Sequence, residues 1–327
     1  MKRFLLLLAL LMATLGCQPP TETNAPAAKA GTKLRIAVIP KGTTHEFWKS
    51  VHYGASQAAK ELDVEIDWLG PPLENDRQGQ ITIVQNFITN KVDGIVLAPL
   101  DSHALVDAVK QANSANIPVV IFDSALDDES VTVSYVATDN TRGGELAAEE
   151  MAKRLNGKGN VIMMRYNKGS ESTQQREEGF LKKLKEYPEI KILESEQYAG
   201  TTQRSALDKA QQLLNIYGND VNGFFAVCEP NAAGTLKALE DLKLSEKVVF
   251  IGFDPNPTMV QAMADGKMQG IVLQDPVKMG YLGVKTMVQH LRGEKIDKRI
   301  STGEHIATPD NMNNPEMKTL LAPPQFD

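Results

Sequence analysis

One repeated pattern constrains this chain more than any other: a short apolar run, a breaking turn, an amphipathic helix, then another short apolar run. It is clearest at residues 34–62, LRIAVIPKGTTHEFWKSVHYGASQAAKEL. Residues 34–39 suffice for one buried strand, Pro40 to Thr44 break it, and Phe47, Val51, Ala55, Ala58 and Leu62 then recur at helical spacing. Further strands are expected at 64–69, 94–97, 118–122 and 131–136, with helices at 76–90 and 102–116. A second series starts at helix 141–155 and continues with strand 160–165, helix 173–186, strand 191–197 and helix 203–217. Strand 223–227, helix 231–242, strand 248–253, helix 257–264 and strand 268–273 complete it. Alternation of this kind predicts an α/β chain of two doubly wound parallel-sheet lobes in tandem. Helix 277–291 follows when the second lobe is already complete, so the chain is expected to cross back.

The start of the chain reads as an address. Met1, Lys2 and Arg3 are followed by an apolar run at 4–12 and by small residues ending in Gly16 and Cys17, the pattern of a secretory signal peptide. Cys17 is the expected lipidation site, and residues 18–32, rich in Pro and Ala, form a tether without core-forming side chains. No later stretch approaches the length of an apolar membrane span. Apart from Cys17, Cys228 is the only cysteine, so an internal disulfide is not available. Removing Lys2 and Arg3 from the 35 basic residues leaves 33 against 41 acidic ones, with no basic cluster. Nucleic acid is therefore excluded as an expected partner.

In open α/β sheets the ligand lies outside the carboxyl ends of the strands. Collected by that rule, the candidates include His45, Phe47 and Trp48 after the first strand, then Asp123 and Ser124. The second series adds Arg176, Cys228, Glu229, Asp254 and Gln274. Aspartate at such places is also an ordinary helix cap, and Asp101 is read that way. Phe47 and Trp48 are adjacent and point about 100° apart on a helix, so one core face does not readily take both. Carboxylates that accept hydroxyl hydrogen bonds, an arginine that donates, and ring faces that cover C–H surface suit a neutral polyhydroxylated molecule.

Catalytic and cofactor signatures are missing: no GxGxxG, phosphate-binding GxxxxGK[ST], HExxH, GxSxG or CxxC. The five histidines are scattered, with none at metal-ligand spacing. Neither a metal nor a cofactor is expected. Paired carboxylates could serve glycoside chemistry, but a sugar binder has them equally. The chain is therefore expected to bind and not to catalyse.

Several stretches, in order and spacing, carry a specific resemblance: 44–55 (THEFWKSVHYGA), 94–101 (GIVLAPLD), 115–123 (ANIPVVIFD), 136–146 (VATDNTRGGEL) and 175–180 (QREEGF). To these belong 233–239 (AGTLKAL), 249–255 (VFIGFDP) and 264–274 (ADGKMQGIVLQ). Over essentially its whole mature length the chain resembles the ribose-type periplasmic sugar-binding proteins, the substrate receptors of ABC importers. The resemblance implies two Rossmann-like lobes joined by three crossings, divided as 33–138 plus 275–302 and 139–274 plus 303–320. It also implies a small sugar or polyol clamped between the lobes, a permease as partner, a monomer, and a lipid-anchored extracytoplasmic location.

On matching positions the resemblance makes Phe47 and Trp48 a sandwich for the sugar ring, together with a second-lobe aromatic. His45 stands at the place of a polar amide, Asp123 and Asp254 at hydroxyl-binding aspartates, Arg176 at a clamping arginine, Gln274 at a hinge-side amide. Departures point away from ribose. Ser124 replaces a second arginine, Cys228 replaces an asparagine, and only Tyr198 lies near the expected second-lobe aromatic. Glu229 is read as compensation, for another pentose, a hexose, a polyol or another small polar metabolite. The same fold serves the effector domain of LacI-type regulators, but such a chain needs a helix-turn-helix where this one has its signal peptide and tether.

Overall fold

The computed structural model describes residues 33–326; Cys17 and the tether lie outside them. The central apolar runs form strands buried on both faces, as a parallel sheet covered by helices requires, whereas the edge runs at 65–68 and 189–194 stay partly exposed. In chain order the first lobe contains β1 (Arg35–Ile39), α1 (Glu46–Leu62), β2 (Glu65–Trp68), α2 (Arg77–Thr89) and β3 (Gly94–Leu97). It continues with α3 (Val106–Ser114), β4 (Val119–Phe122) and β5 (Ser134–Ala137). The second contains α4 (Asn140–Arg154), β6 (Lys158–Met164), α5 (Glu171–Leu184), β7 (Glu189–Glu194) and α6 (Gln203–Tyr217). After these come β8 (Gly223–Ala226), α7 (Glu229–Asp241), β9 (Val249–Phe253), α8 (Pro257–Ala264) and β10 (Gly270–Gln274). The chain then returns as α9 (Pro276–Leu291), β11 (Arg299–Ser301), β12 (Glu304–Ala307) and α10 (Pro315–Leu321).

Two six-stranded sheets result, in the orders β11-β5-β4-β3-β1-β2 and β12-β10-β9-β8-β6-β7. All pairings are parallel except β10 with β12. The chain passes between sheets after β5, after β10 and between β11 and β12, each time at the sheet edge where those strands lie. Thr138 ties these passages: its hydroxyl donates to Gln274 Oε1 at 2.8 Å and lies 3.3 Å from the Thr302 hydroxyl.

Several boundaries differ from the sequence reading. β5 begins at Ser134 because Asp128 caps a short 3-10 turn over Glu129–Val131. β11, β12 and α10 were not expected: the two strands are short and half exposed, so they lack a buried-strand pattern. Beyond α10 the tail crosses once more to the first lobe. There the Phe326 N–H donates to the Lys49 carbonyl, and its ring stacks on His52 at 3.8 Å.

Helix packing in both lobes depends on reciprocal glycines. A Cβ on Gly54 of α1 would lie 1.9 Å from the Val277 carbonyl oxygen, and one on Gly280 of α9 would lie 2.0 Å from that of Val51. In the second lobe a Cβ on Gly144 of α4 would sit 2.0 Å from the Arg176 carbonyl oxygen, and one on Gly179 of α5 would sit 2.2 Å from that of Thr141. Backbone therefore touches backbone at both crossings, and only glycine permits it.

Candidate functional site

The carboxyl ends of both sheets face one another across a cleft that is closed in this structure. Ser172 N donates to Ser124 Oγ at 3.0 Å, Ala125 N to Glu171 Oε2 at 3.0 Å, and Arg77 Nη2 to the Lys168 carbonyl at 2.8 Å. Each of these bonds joins one lobe to the other.

Within the cleft an inner chamber gathers His45, Phe47, Trp48 and Asp123 from the first lobe. The second contributes Arg176, Cys228, Glu229, Asp254 and Gln274. Nine of the ten expected residues thus meet in one place. The exception is Ser124, which is buried outside the chamber and serves as the acceptor for Ser172 N. Tyr198 also lies elsewhere, 38% exposed and beside Arg165.

Six more residues line the chamber: Lys41, Glu74, Tyr166, Ser172, Thr173 and Pro230. Lys41, Glu74 and Tyr166 follow β1, β2 and β6; the loop from Tyr166 to Ser172 is one the strand-end rule collects, and the same rule applied after β1 and β2 reaches Lys41 and Glu74. Tyr166, which the sequence reading did not assign to the ligand, supplies a second-lobe aromatic to the wall; it is 2% exposed, and its buried hydroxyl, near Glu74, makes no directed hydrogen bond. Asp101 Oδ1 accepts from His103 N and Ala104 N, but the turn it caps precedes α3: the helix itself begins at Val106, with Leu105 at its N-cap and no side-chain cap.

The aromatic pair departs from expectation. Phe47 and Trp48 meet edge to face, with centroids 4.9 Å apart and planes at 82°, so no sugar ring fits between them. Trp48 is 2% exposed and packs edge-on against Phe122 in the first-lobe core, while its Nε1–H donates to Glu74 Oε1 at 2.6 Å. Its residue is thus both core and chamber wall, not a free cleft-facing platform.

Charges in the chamber are arranged in pairs. Lys41 Nζ lies 2.7 Å from Asp123 Oδ2 and donates across the cleft to Ser172 Oγ at 2.9 Å. His45 Nδ1 is 3.1 Å from Glu74 Oε1. Burial alone would lower the His45 pKa, but the Glu74 hydrogen bond and charge outweigh it and raise the value to about 9. Glu74, whose burial works against ionisation, is held down at about 2 by His45 and Lys41. Arg176 lies over the Phe253 ring at 3.7 Å, donates to Asn140 Oδ1 and the Val227 carbonyl, and comes within 3.6 Å of Asp254 Oδ2.

Asp254 is raised to about 6 by burial, which Arg176 and the Gln274 amide only partly offset. Glu229 is raised by burial too, and its Oε1 accepts from Asn256 Nδ2 at 2.7 Å. Burial pushes the Cys228 thiol well above its ordinary range, which leaves it an un-ionised chamber wall. Asp123 and Asp254 occupy equivalent places, directly after β4 and β9, and both have left-handed backbone, φ 63° and 62°. Aspartate tolerates that region better than most residues. Both carboxylates are thereby turned off the strand ends into the cleft.

Among the described residues no cluster suited to a metal ion is found. The chamber offers hydrogen-bond acceptors and donors of both signs beside aromatic surface, the chemistry that holds hydroxyls and C–H faces without reacting with them.

Comparison with known proteins agrees with this geometry. Residues 36–295 match a family profile described as a periplasmic binding protein domain. The chain is 31% identical over 273 residues to the ribose import binding protein RbsB of Escherichia coli, covering 84% of this chain and 90% of the relative. Among solved structures it is similar to a carbohydrate transporter solute-binding protein from Agrobacterium radiobacter in complex with D-arabinose. That likeness has a TM-score of 0.85 and 32% identity, over 90% of this chain and 100% of that one. A solute-binding protein from Agrobacterium vitis with bound D-fucose gives a TM-score of 0.85 at 36% identity, over 88% and 100% of the two chains. These relatives are binding and import proteins, not enzymes.

Proposed function

The chain belongs to the periplasmic binding protein family of ribose-type sugar receptors, and on that premise we propose that it is the extracytoplasmic receptor of an ABC importer, closing on a small neutral sugar or polyol. The observation that carries this reading is the meeting of Asp123, Asp254, Glu229 and Arg176 with Phe47, Trp48 and Tyr166 in one interlobe chamber. Carboxylates accept from adjacent hydroxyls, Arg176 donates, and aromatic surface covers the C–H face. His45, Cys228 and Gln274 complete the wall, while Ser124 acts in closure. The moving bodies are 33–138 with 275–302 and 139–274 with 303–320, and the receptor works as a monomer that presents its closed form to the permease.

Relatives carry D-arabinose and D-fucose, which supports a pentose or a hexose of that kind. Cys17 is proposed as the lipid anchor, with residues 18–32 as the tether to the membrane surface. Neither a nucleic-acid partner nor a regulator's role fits the signal-like start and the acidic balance. A thermal-shift screen of pentoses, hexoses and polyols tests the reading, because a ligand that binds only the folded chain stabilises it by RT ln(1 + [L]/Kd). At least one of them should raise the melting temperature in proportion to the logarithm of its concentration. A flat response across the whole panel overturns the reading. Mass analysis of the native N-terminus checks the anchor separately: a diacylglyceryl Cys17 is expected, and an unmodified start elsewhere removes it.

A further inference from the structure

The free room between the lobes does not lie where the charged residues meet. With Lys41 drawn between Asp123 and Ser172, the inner chamber keeps only about 30 Å³, the space of about one water. Outside it is a second chamber of about 470 Å³, open to solvent and walled by both lobes. Thr44, Glu46 and Leu73 come from the first lobe, and Thr201, Gln203 and Pro257 from the second. His45, Glu229 and Pro230 line both chambers, so the two spaces adjoin across a wall only these side chains thick.

The outer walls are built for contact and not only for entry. Hydroxyls of Thr44 and Thr201 and the amide of Gln203 stand beside Leu73, which is 39% exposed, and the faces of Pro230 and Pro257. Hydrogen-bonding groups interleaved with small apolar faces match a second hydroxyl-bearing unit. Among the described lining residues there is no lysine or arginine, and the one cation, His45, is already engaged by Glu74. Glu46 and Glu229 add negative charge to the same walls. An anionic substituent such as a phosphate is therefore disfavoured, and a neutral one fits.

We propose that the outer chamber is a second subsite, and that the ligand is a two-unit neutral glycoside whose first ring occupies the inner chamber and whose second unit fills the outer one. This rests on the receptor function proposed above and specifies its substrate class. Room for the first ring comes from displacing Lys41 or from a slightly wider closure. Room for the second unit is present already.

Isothermal titration calorimetry tests it with two sets of probes: single rings (D-ribose, D-allose, D-galactose, D-arabinose) and two-unit sugars (sucrose, trehalose, melibiose, lactose). Two variants, Leu73→Trp and Gln203→Trp, fill the outer chamber from opposite lobes; should one fail to fold, the other suffices. The best two-unit sugar should bind at least tenfold tighter than the best single ring. Either variant should weaken it at least tenfold while changing single-ring binding less than twofold. A protein that binds a single ring as tightly as any two-unit sugar, or whose variants lose both alike, overturns the second subsite and leaves the receptor function standing. A protein that binds neither set overturns the second subsite, and the receptor function is then decided by the wider screen of pentoses, hexoses and polyols.

Discussion

The Lys41 ammonium and the Asp123 carboxylate lie 2.7 Å apart in the closed cleft, with 4% and 5% of their side chains exposed. A pair buried so completely compensates its own desolvation only while both partners remain. Lys41→Met should therefore destabilise the chain by about 3–5 kcal/mol, because it strands a buried carboxylate. Adding Asp123→Asn should restore a large part of that loss. Urea denaturation of the two single variants and the double variant measures the coupling; strictly additive losses would show that the pair does not act as a unit.

Gly144 controls Arg176 without touching a ligand. A methyl group there would meet the Arg176 carbonyl oxygen at 2.0 Å, so α4 and α5 must separate. Gly144→Ala should cost about 1–3 kcal/mol of stability, the scale of overpacking. It should also weaken sugar binding by moving the guanidinium that approaches Asp254. Gly218, where a Cβ would meet nothing, is the control for the binding effect: Gly218→Ala should leave affinity unchanged, whatever its left-handed backbone (φ 53°) costs in stability. Equal affinity for wild type and Gly144→Ala would refute the positioning role.

Two pH windows follow from the chamber. His45 holds its proton to about pH 9 in the folded chain, but its ordinary value is 6.5. Its stabilisation is fully present below pH 6.5 and is lost as pH rises through 9. Asp254, raised to about 6 from 3.8, holds a proton in the folded chain that the unfolded chain has released between those values. Stability from this group therefore falls as pH rises across that window. Only above it does the carboxylate carry the charge that strengthens the hydrogen bonds it accepts from hydroxyls, so sugar affinity should fall as pH drops through 6. Asp254→Asn should flatten that acid limb, and His45→Gln should remove the alkaline loss of stability. Titrations and melts from pH 4.5 to 9.5 check both, and an acid limb that persists in Asp254→Asn assigns it to another group.

Trp48 now carries a different expectation from the one its sequence position suggested. Because it packs on Phe122 and donates to Glu74, Trp48→Ala should lose about 3–5 kcal/mol of stability, as large aromatic truncations in cores do. Trp48→Phe keeps most of the packing and should lose about 1 kcal/mol, chiefly the hydrogen bond. Chemical denaturation distinguishes them; an Ala variant as stable as the Phe variant would mean that the ring is not part of the core.

The alternation of strands and helices was legible because a strand buried on both faces must be a continuous apolar run, and that run cannot be disguised. β11 and β12 escaped because half-exposed edge strands have no such demand on their composition. The chamber was legible from the strand-end rule, since Asp123, Glu229 and Asp254 each stand at the end of an apolar run. Ser124 was misplaced because the chain turns through a left-handed Asp123, which sends the next side chain out of the chamber and toward Ser172. Adjacent aromatics also misled. Phe47 and Trp48 diverge, as a helix requires, but the core wraps around the helix start and takes the Trp48 ring. Lys41 and Glu74 carry no signal of their own in the sequence, because a loop charge is ordinarily solvated; their burial is possible through opposite charges of the same lobe, Asp123 and His45, that are distant in the chain.

Calorimetric titration of the tightest sugar from the screen into wild type, Asp123→Asn and Asp254→Asn tests the account most directly. Asparagine keeps the shape of both side chains and tolerates their left-handed backbone, so the carboxylate charge is what changes. One molecule should bind per chain, and each variant should lose at least about 2 kcal/mol of binding free energy, the scale of a charge-assisted hydrogen bond. Unchanged affinity in both variants would contradict the account, because the sugar would then be held somewhere other than between Asp123 and Asp254.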